Sequence, residues 1–256
     1  MKAILCEAWG PPSSLVLRDV ESPVPGPAQA VVRVRVAAVN FPDALIVAGK
    51  YQARPAFPFS PGGEFSGEIV ALGSEVKRFA VGDKVSGVVT HGAYAEEVLV
   101  DAGSLISLPG DLSDDAFERA GSFVLTYGTS LHALKDRAEA KAGETLLVLG
   151  AGGGVGLAAV EIGKLMGLRV IAAASSAAKL AAATARGADA TIDYSTEDLR
   201  ERIKQLTEGR GVDIVYDPVG GDFTEPALRC VGWRGRYLVV GFAAGEIPKI
   251  PINLLL

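Results

Sequence analysis

Thr145-Leu146-Leu147-Val148-Leu149-Gly150-Ala151-Gly152-Gly153-Gly154-Val155-Gly156 joins an apolar run to a glycine turn. A run without polar alternation is how a strand buried on both faces of a parallel sheet reads. From Val155 the apolar residues recur at helical spacing through Ala158, Ala159, Ile162, Leu165 and Met166, with Glu161 and Lys164 on the other face. Gly167 stops that helix. Arg169–Ala174 then supplies a second buried strand, completing a crossover between parallel neighbours. The unit from Glu144 to Tyr194 therefore aims backbone N–H groups, at the positive end of a helix, into the turn, where a pyrophosphate would sit. Its glycine pattern departs from the usual fingerprint at the first position, where Ala151 stands ahead of Gly153 and Gly156. Between this strand and this helix, the turn points to a dinucleotide.

The choice of dinucleotide is read about twenty residues on, where an NAD site carries an acid for the ribose 2′-OH. Here the second strand ends in Ala174-Ser175-Ser176, followed by Lys179 on the next helix. Hydroxyls and an ammonium group receive a 2′-phosphate that a carboxylate would repel, so NADPH is expected over NADH.

The whole chain has 256 residues, 49% hydrophobic and 21% charged, enough for one large or two ordinary soluble domains. A formal charge of -5, without any block of Lys and Arg, argues against a nucleic-acid partner. Glu7 falls where a signal peptide needs its apolar core, and no run reaches the length of a membrane span. A cytoplasmic protein without a membrane partner is expected. Cys6 and Cys230 lie far apart and suggest no disulfide framework.

From Lys2 to about Leu108, short strands broken by Gly, Pro and Asp turns indicate an all-β piece, with Leu15–Val20, Ala30–Val39, Gly67–Leu72, Lys84–Val89 and Ala93–Val100 as candidates. Two of its loops carry polar and aromatic groups: Asn40-Phe41-Pro42-Asp43 leading to Tyr51, and Pro61-Gly62-Gly63-Glu64-Phe65-Ser66-Gly67. They could line a substrate site, or Asn40 and Asp43 could simply cap a helix and Tyr51 fill a surface groove. Helices are expected at Asp111–Ser122, Gly128–Ala138, Thr196–Glu208 and Asp222–Arg229, and strands at Asp213–Asp217 and Arg236–Phe242. The chain stops at Leu254-Leu255-Leu256, an apolar end that either docks on the protein or continues in the natural chain.

These stretches, with Val81-Gly82-Asp83-Lys84-Val85, Gly92-Ala93-Tyr94-Ala95-Glu96 and Tyr216-Asp217-Pro218-Val219-Gly220-Gly221, resemble the zinc-independent quinone oxidoreductases, the zeta-crystallin-like branch of the medium-chain dehydrogenase/reductase superfamily. The resemblance runs over the entire chain. It implies an α/β protein with a GroES-like β-rich catalytic domain at 1–122 and a Rossmann doubly wound parallel sheet at 123–256, the active site lying in the cleft between them. Such proteins run past this terminus with a last sheet strand, often paired across a homodimer, so the resemblance implies a truncated chain. Asn40 stands where zinc-dependent relatives have a metal cysteine, and Gly63 where they have a metal histidine; no metal is expected. Carried over by position, Thr129 approaches the nicotinamide, Gly153, Gly154 and Val155 the pyrophosphate, and Ser175, Lys179 and Tyr194 the 2′-phosphate. Phe242, at the end of the fifth strand, lies near the nicotinamide ribose, and Asn40 and Tyr51 line the substrate side.

Without a Lewis acid, such a site suits an acceptor already activated by conjugation, a quinone or an α,β-unsaturated carbonyl. Hydride transfer from NADPH is expected, with Tyr51 and Asn40 donating hydrogen bonds to the oxygen that gains charge. An enoyl-thioester reductase and a non-catalytic NADPH-binding protein are the alternatives.

Overall fold

The computed structural model describes residues 1–255; the side chains of Ile252 and Leu255, and all of Leu256, lie outside the described residues, and with them most of the apolar end. The chain divides into Met1–Leu125 and Thr126–Leu256.

In the first unit, β1 (Lys2–Leu5) pairs antiparallel with β2 (Val16–Asp19). β3 (Gln29–Ala37), α1 (Phe41–Val47), β4 (Glu64–Leu72), β5 (Lys84–Val88), β6 (Glu97–Asp101), β7 (Leu105–Ser107) and α2 (Asp114–Ala120) follow. The sheet is antiparallel in the order β6-β3-β4-β5-β7. Alternation along β3 explains its burial: Ala30 and Val32 join a core with Phe65, Ile69, Val85, Val98 and Leu105, while Arg33 and Arg35 are exposed. The expected strand Ala93–Val100 is only half formed. Gly92 has φ +118° and the N–H groups of Ala93 and Tyr94 bond back to Gly62 and Pro61, so the ladder starts at Glu97. β1 and β7 were not expected from the sequence, and β4 begins at Glu64 rather than Gly67.

α3 (Val124–Leu131) runs across the division and continues as a π-helical turn over His132–Arg137, starting four residues before the expected Gly128. The second unit holds β8 (Thr145–Val148), α4 (Gly154–Leu165), β9 (Arg169–Ala174), α5 (Ala177–Ala185), β10 (Ala190–Asp193), α6 (Leu199–Leu206), β11 (Val212–Asp217), α7 (Thr224–Leu228) and β12 (Val231–Val239). Its sheet is parallel throughout, in the order β10-β9-β8-β11-β12. The unbroken apolar run of β8 has its cause here. Leu146 and Val148 pack with Ala159, Val160 and Ala183 on one face, and Leu147 and Leu149 with Leu199, Ile203 and Ala227 on the other.

Helix starts fall later than expected because the capping residues set them. Ser113 accepts from the Ala116 N–H and Asp198 from the Glu201 N–H, so α2 and α6 begin at Asp114 and Leu199. α7 begins at Thr224, after a 3₁₀ turn over Gly221–Phe223. The expected strand Arg236–Phe242 is corrected to Val231–Val239. A bulge between Val212 and Ile214 on the partner strand absorbs Gly232-Trp233-Arg234-Gly235, with Arg234 at φ +60° and Trp233 89% exposed. Phe242 thus lies beyond the strand, because Val240 bonds to the Asp217 carbonyl and Ala243 to that of Pro218, turning the chain away from the ladder. Among the described residues no helix is long and apolar enough to cross a membrane.

Candidate functional site

In the first unit the site grows from the end of β3. Asn40 caps α1, and its N–H donates to the Asp43 carboxylate at 2.8 Å, so the capping reading of that pair holds. Asp43 is 5% exposed and also accepts from the Tyr94 hydroxyl at 2.8 Å. Burial, and then the neighbouring carboxylate, push the Tyr94 phenol far above the usual tyrosine range, so it stays protonated. Gly62, at φ +90°, makes room for that ring: a Cβ there would stand 2.7 Å from Tyr94 Cε1.

Glu64, the fully buried first residue of β4, accepts from the Asn40 amide nitrogen at 3.0 Å and from the Leu125 N–H at 2.8 Å. Asn40 is therefore held by Glu64 through one amide proton and does not line the adjacent cavity. Tyr51 does. That open cavity, of ≈ 600 Å³, is bordered by Pro42, Asp43, Ile46, Tyr51, Gly63 and His91. The Tyr51 hydroxyl has no hydrogen-bond partner among the described residues. His91 meets Phe59 edge-on at 5.6 Å, Phe59 stacks with Phe57, which Trp9 meets edge-on, and partial burial lowers the His91 imidazole pKa.

In the second unit the glycine turn follows β8. Gly153 caps α4 without a side-chain bond, its own N–H returns to the Gly150 carbonyl, and the N–H groups of Gly154, Val155 and Gly156 find no acceptor among the described residues. These are the open donors of a helix start, suited to a phosphate. The cradle requires glycine: a Cβ at Gly152 would stand 2.6 Å from Lys179 Cγ, and one at Gly156 would stand 2.9 Å from Ala151 Cα. Lys179 lies along the turn and donates to Ser175 Oγ at 3.1 Å. Tyr194 also bonds with Ser175; burial is the larger influence and raises the phenol, whose ring lies tilted against Phe223 with ring centres 4.4 Å apart. Ser175, Lys179 and Tyr194 thus come together beside the turn, and its residues fit a pyrophosphate with an added phosphate. Thr129 lies on α3, half-buried, and Phe242 packs against Gly220, where a Cβ would stand 2.8 Å from its ring.

Three features went unnoticed in the sequence. Glu64 and Asp217 are buried carboxylates without a cationic partner among the described residues, and the Tyr127 hydroxyl, Glu161 and Arg186 interlock at 2.6–2.9 Å across α3, α4 and the end of α5. The available signal was an acid directly before or after an apolar strand run, at Glu64 and Asp217. Among the described residues no three His, Cys, Asp or Glu side chains are grouped to hold a metal ion, and His132 pairs with Asp136 at 2.8 Å.

The profile of the alcohol dehydrogenase GroES-like domain matches residues 26–110, and that of the zinc-binding dehydrogenase domain residues 154–256. A quinone oxidoreductase-like protein 2 homolog of Nematostella vectensis is 41% identical over 258 residues, covering 100% of this chain and 69% of its own. A quinone oxidoreductase of Pseudomonas aeruginosa is 38% identical, covering 99% of this chain and 77% of its own. The crystal structure of Escherichia coli quinone oxidoreductase complexed with NADPH superposes with a TM-score of 0.93 at 32% identity, over 100% of this chain and 77% of that one. A Pseudomonas syringae quinone oxidoreductase structure also gives 0.93, at 36% identity, over 99% of this chain and 77% of that one.

Proposed function

The chain belongs to the zinc-independent quinone oxidoreductase branch of the medium-chain dehydrogenase/reductase superfamily, and we propose that it is an NADPH-dependent enzyme reducing quinones or other conjugated carbonyls by metal-free hydride transfer. The observation that carries this reading is the cluster of Ser175, Lys179 and Tyr194 beside the open N–H groups of the glycine turn. Hydroxyls and an ammonium group there suit a 2′-phosphate, and at the end of β9, where an acid would claim a free ribose hydroxyl, stand Ser175 and Ser176. When bound, NADPH supplies the hydride that the acceptor takes up.

The chain's own work lies on the acceptor side. Asn40 and Gly63 offer neither thiolate nor imidazole, which favours an acceptor polarised by its own conjugation. Tyr51, with a hydroxyl that no described residue claims and a place on the cavity wall, donates to the oxygen that gains charge, a contribution of about 2–4 kcal/mol. Asn40, held by Glu64 and off that cavity wall, is given no direct bond to the same oxygen; Asn40→Ala is expected to act through the Glu64 contact. Tyr94 stays a bound phenol, a donor to Asp43 rather than a base. The final proton comes from Tyr51 or from water. The same reading places the protein in the cytoplasm as a homodimer, checked by fractionation and sedimentation.

Fluorescence titration with NADPH and NADH, followed by addition of an ortho-quinone, tests the proposal. Selective NADPH binding with quinone-dependent oxidation is expected. Equal affinity for the two nucleotides would overturn the cofactor reading, and faster turnover of crotonyl-CoA than of simple quinones would move the activity to an enoyl-thioester reductase.

A further inference from the structure

Asp217, 2% exposed, ends β11 with no cation paired to its carboxylate among the described residues. A charge buried in this way is tolerated only when its oxygens are saturated with donors. Here they are. Oδ1 accepts from the N–H groups of Val219 and Gly220 at 2.8 and 2.9 Å, and Oδ2 from the hydroxyls of Tyr237 at 2.6 Å and Thr224 at 3.2 Å. Burial, then the carboxylate itself, push the Tyr237 phenol well above its usual range, so its proton stays on this bond.

Three of the four donors lie on one loop, 218–224, and the fourth, Tyr237, on β12; each half of the loop supports a different residue. At Gly220, φ +69°, the absent side chain leaves the space taken by Phe242, and the carbonyls of Pro218 and Val219 accept from Ala243 and Ala244 just beyond it. At the other end Phe223 lies against the Tyr194 ring, 4.4 Å centre to centre. Both Phe242 and Tyr194 have an aromatic or backbone contact on this loop.

We infer that Asp217 is a positioning residue that sets Tyr194 and Phe242 together through the loop 218–224, so that affinity for the 2′-phosphate end of the cofactor and for its nicotinamide end depend on one buried carboxylate. This rests on the cofactor reading above. The Asp217→Asn variant keeps the shape but turns one acceptor oxygen into a donor facing donors. Tyr237→Phe removes one bond and leaves the carboxylate.

The test is equilibrium titration of the parent, Asp217→Asn and Tyr237→Phe with NADPH, NADH and 2′,5′-ADP, which carries the 2′-phosphate without the nicotinamide, alongside thermal melts. In Asp217→Asn that still melts cooperatively, NADPH and 2′,5′-ADP are expected to bind about tenfold or more weakly, with NADPH losing more than 2′,5′-ADP and the NADPH-to-NADH preference shrinking; Tyr237→Phe shifts the same way by a smaller factor. A variant that melts earlier but keeps the parent's affinities and preference would reduce Asp217 to a purely structural residue and overturn the inference. A parent that binds neither NADPH nor 2′,5′-ADP would instead refute the cofactor reading, and the inference with it.

Discussion

A single methyl group added at either of two neighbouring glycines is expected to lower both stability and cofactor affinity. At Gly156, within α4, the new Cβ would stand 2.9 Å from Ala151 Cα and 3.0 Å from the Gly150 carbonyl carbon, and closer still to the Gly150 oxygen. Ordinary contact begins near 3.4 Å, so α4 must withdraw from the turn by at least about 0.5 Å. Every atom in the way is backbone, and Ala151 is fully buried, so no side chain can swing aside. Overpacking of this kind costs about 1–3 kcal/mol. Alanine's better helix propensity returns about 0.5–1 kcal/mol, and the clash wins. At Gly152 the methyl meets Lys179 at Cβ and, at 3.1 Å, at Cα, atoms that no side-chain rotation moves, so the start of α5 must draw back from the turn. Gly152→Ala and Gly156→Ala should therefore each lose stability and cofactor affinity. Urea unfolding followed by circular dichroism at helical wavelengths, with NADPH titration of each variant, measures both. A slope of about 1–3 kcal/mol per molar urea makes the Gly156→Ala loss a midpoint drop of roughly 0.5–1 M. An unchanged midpoint would refute the close approach of α4 to the turn.

Lys179→Met should weaken NADPH binding by roughly 10–100-fold and leave NADH within about twofold, and the gap should narrow with added salt because Lys179 is exposed; equal losses for both nucleotides would remove Lys179 from the 2′-phosphate. Tyr51→Phe should lower turnover by about 100-fold or more at unchanged stability, since its hydroxyl has no partner among the described residues to lose; steady-state kinetics and a melt decide it. Burial holds the Tyr94, Tyr216 and Tyr237 phenols above their unfolded pKa near 10, so their contribution is intact below that pH and is lost as pH rises through the folded values, by up to about 1.4 kcal/mol per pH unit for each phenol. Urea midpoints at about pH 9 and about pH 11 should therefore fall in the parent and fall less in Tyr94→Phe; parallel declines would show that Tyr94 is not held protonated.

The sequence was most legible where burial imposes its own pattern. β8 sits at the centre of five strands with helices on both faces, so its residues are apolar without a break, and β9 was read to the residue. β12 sits at the edge, and the bulge at Gly232-Trp233-Arg234-Gly235 hides its start among residues that read as a turn. Asn40 and Asp43 signal a helix cap by their spacing alone. Nothing local signals that Asp43 also holds Tyr94, 51 positions away, or that Glu64 takes the Asn40 amide and the Leu125 N–H. Spacing finds residues that share a helix turn; long-range partners of a buried carboxylate are decided by how the strands pair.

The chain has two tryptophans, one on each side of its division. Trp233 stands 89% exposed on the bulged edge strand, whereas Trp9, 39% exposed, lies against Phe57 and Phe59. Emission from Trp233 is therefore that of an indole in water, open to a collisional quencher such as acrylamide, and emission from Trp9 is partly shielded by its neighbours. A quencher removes the light of the second unit first, and what remains reports the surroundings of Phe57, Phe59 and Gly49, so the protein carries an optical label for each half without a substitution.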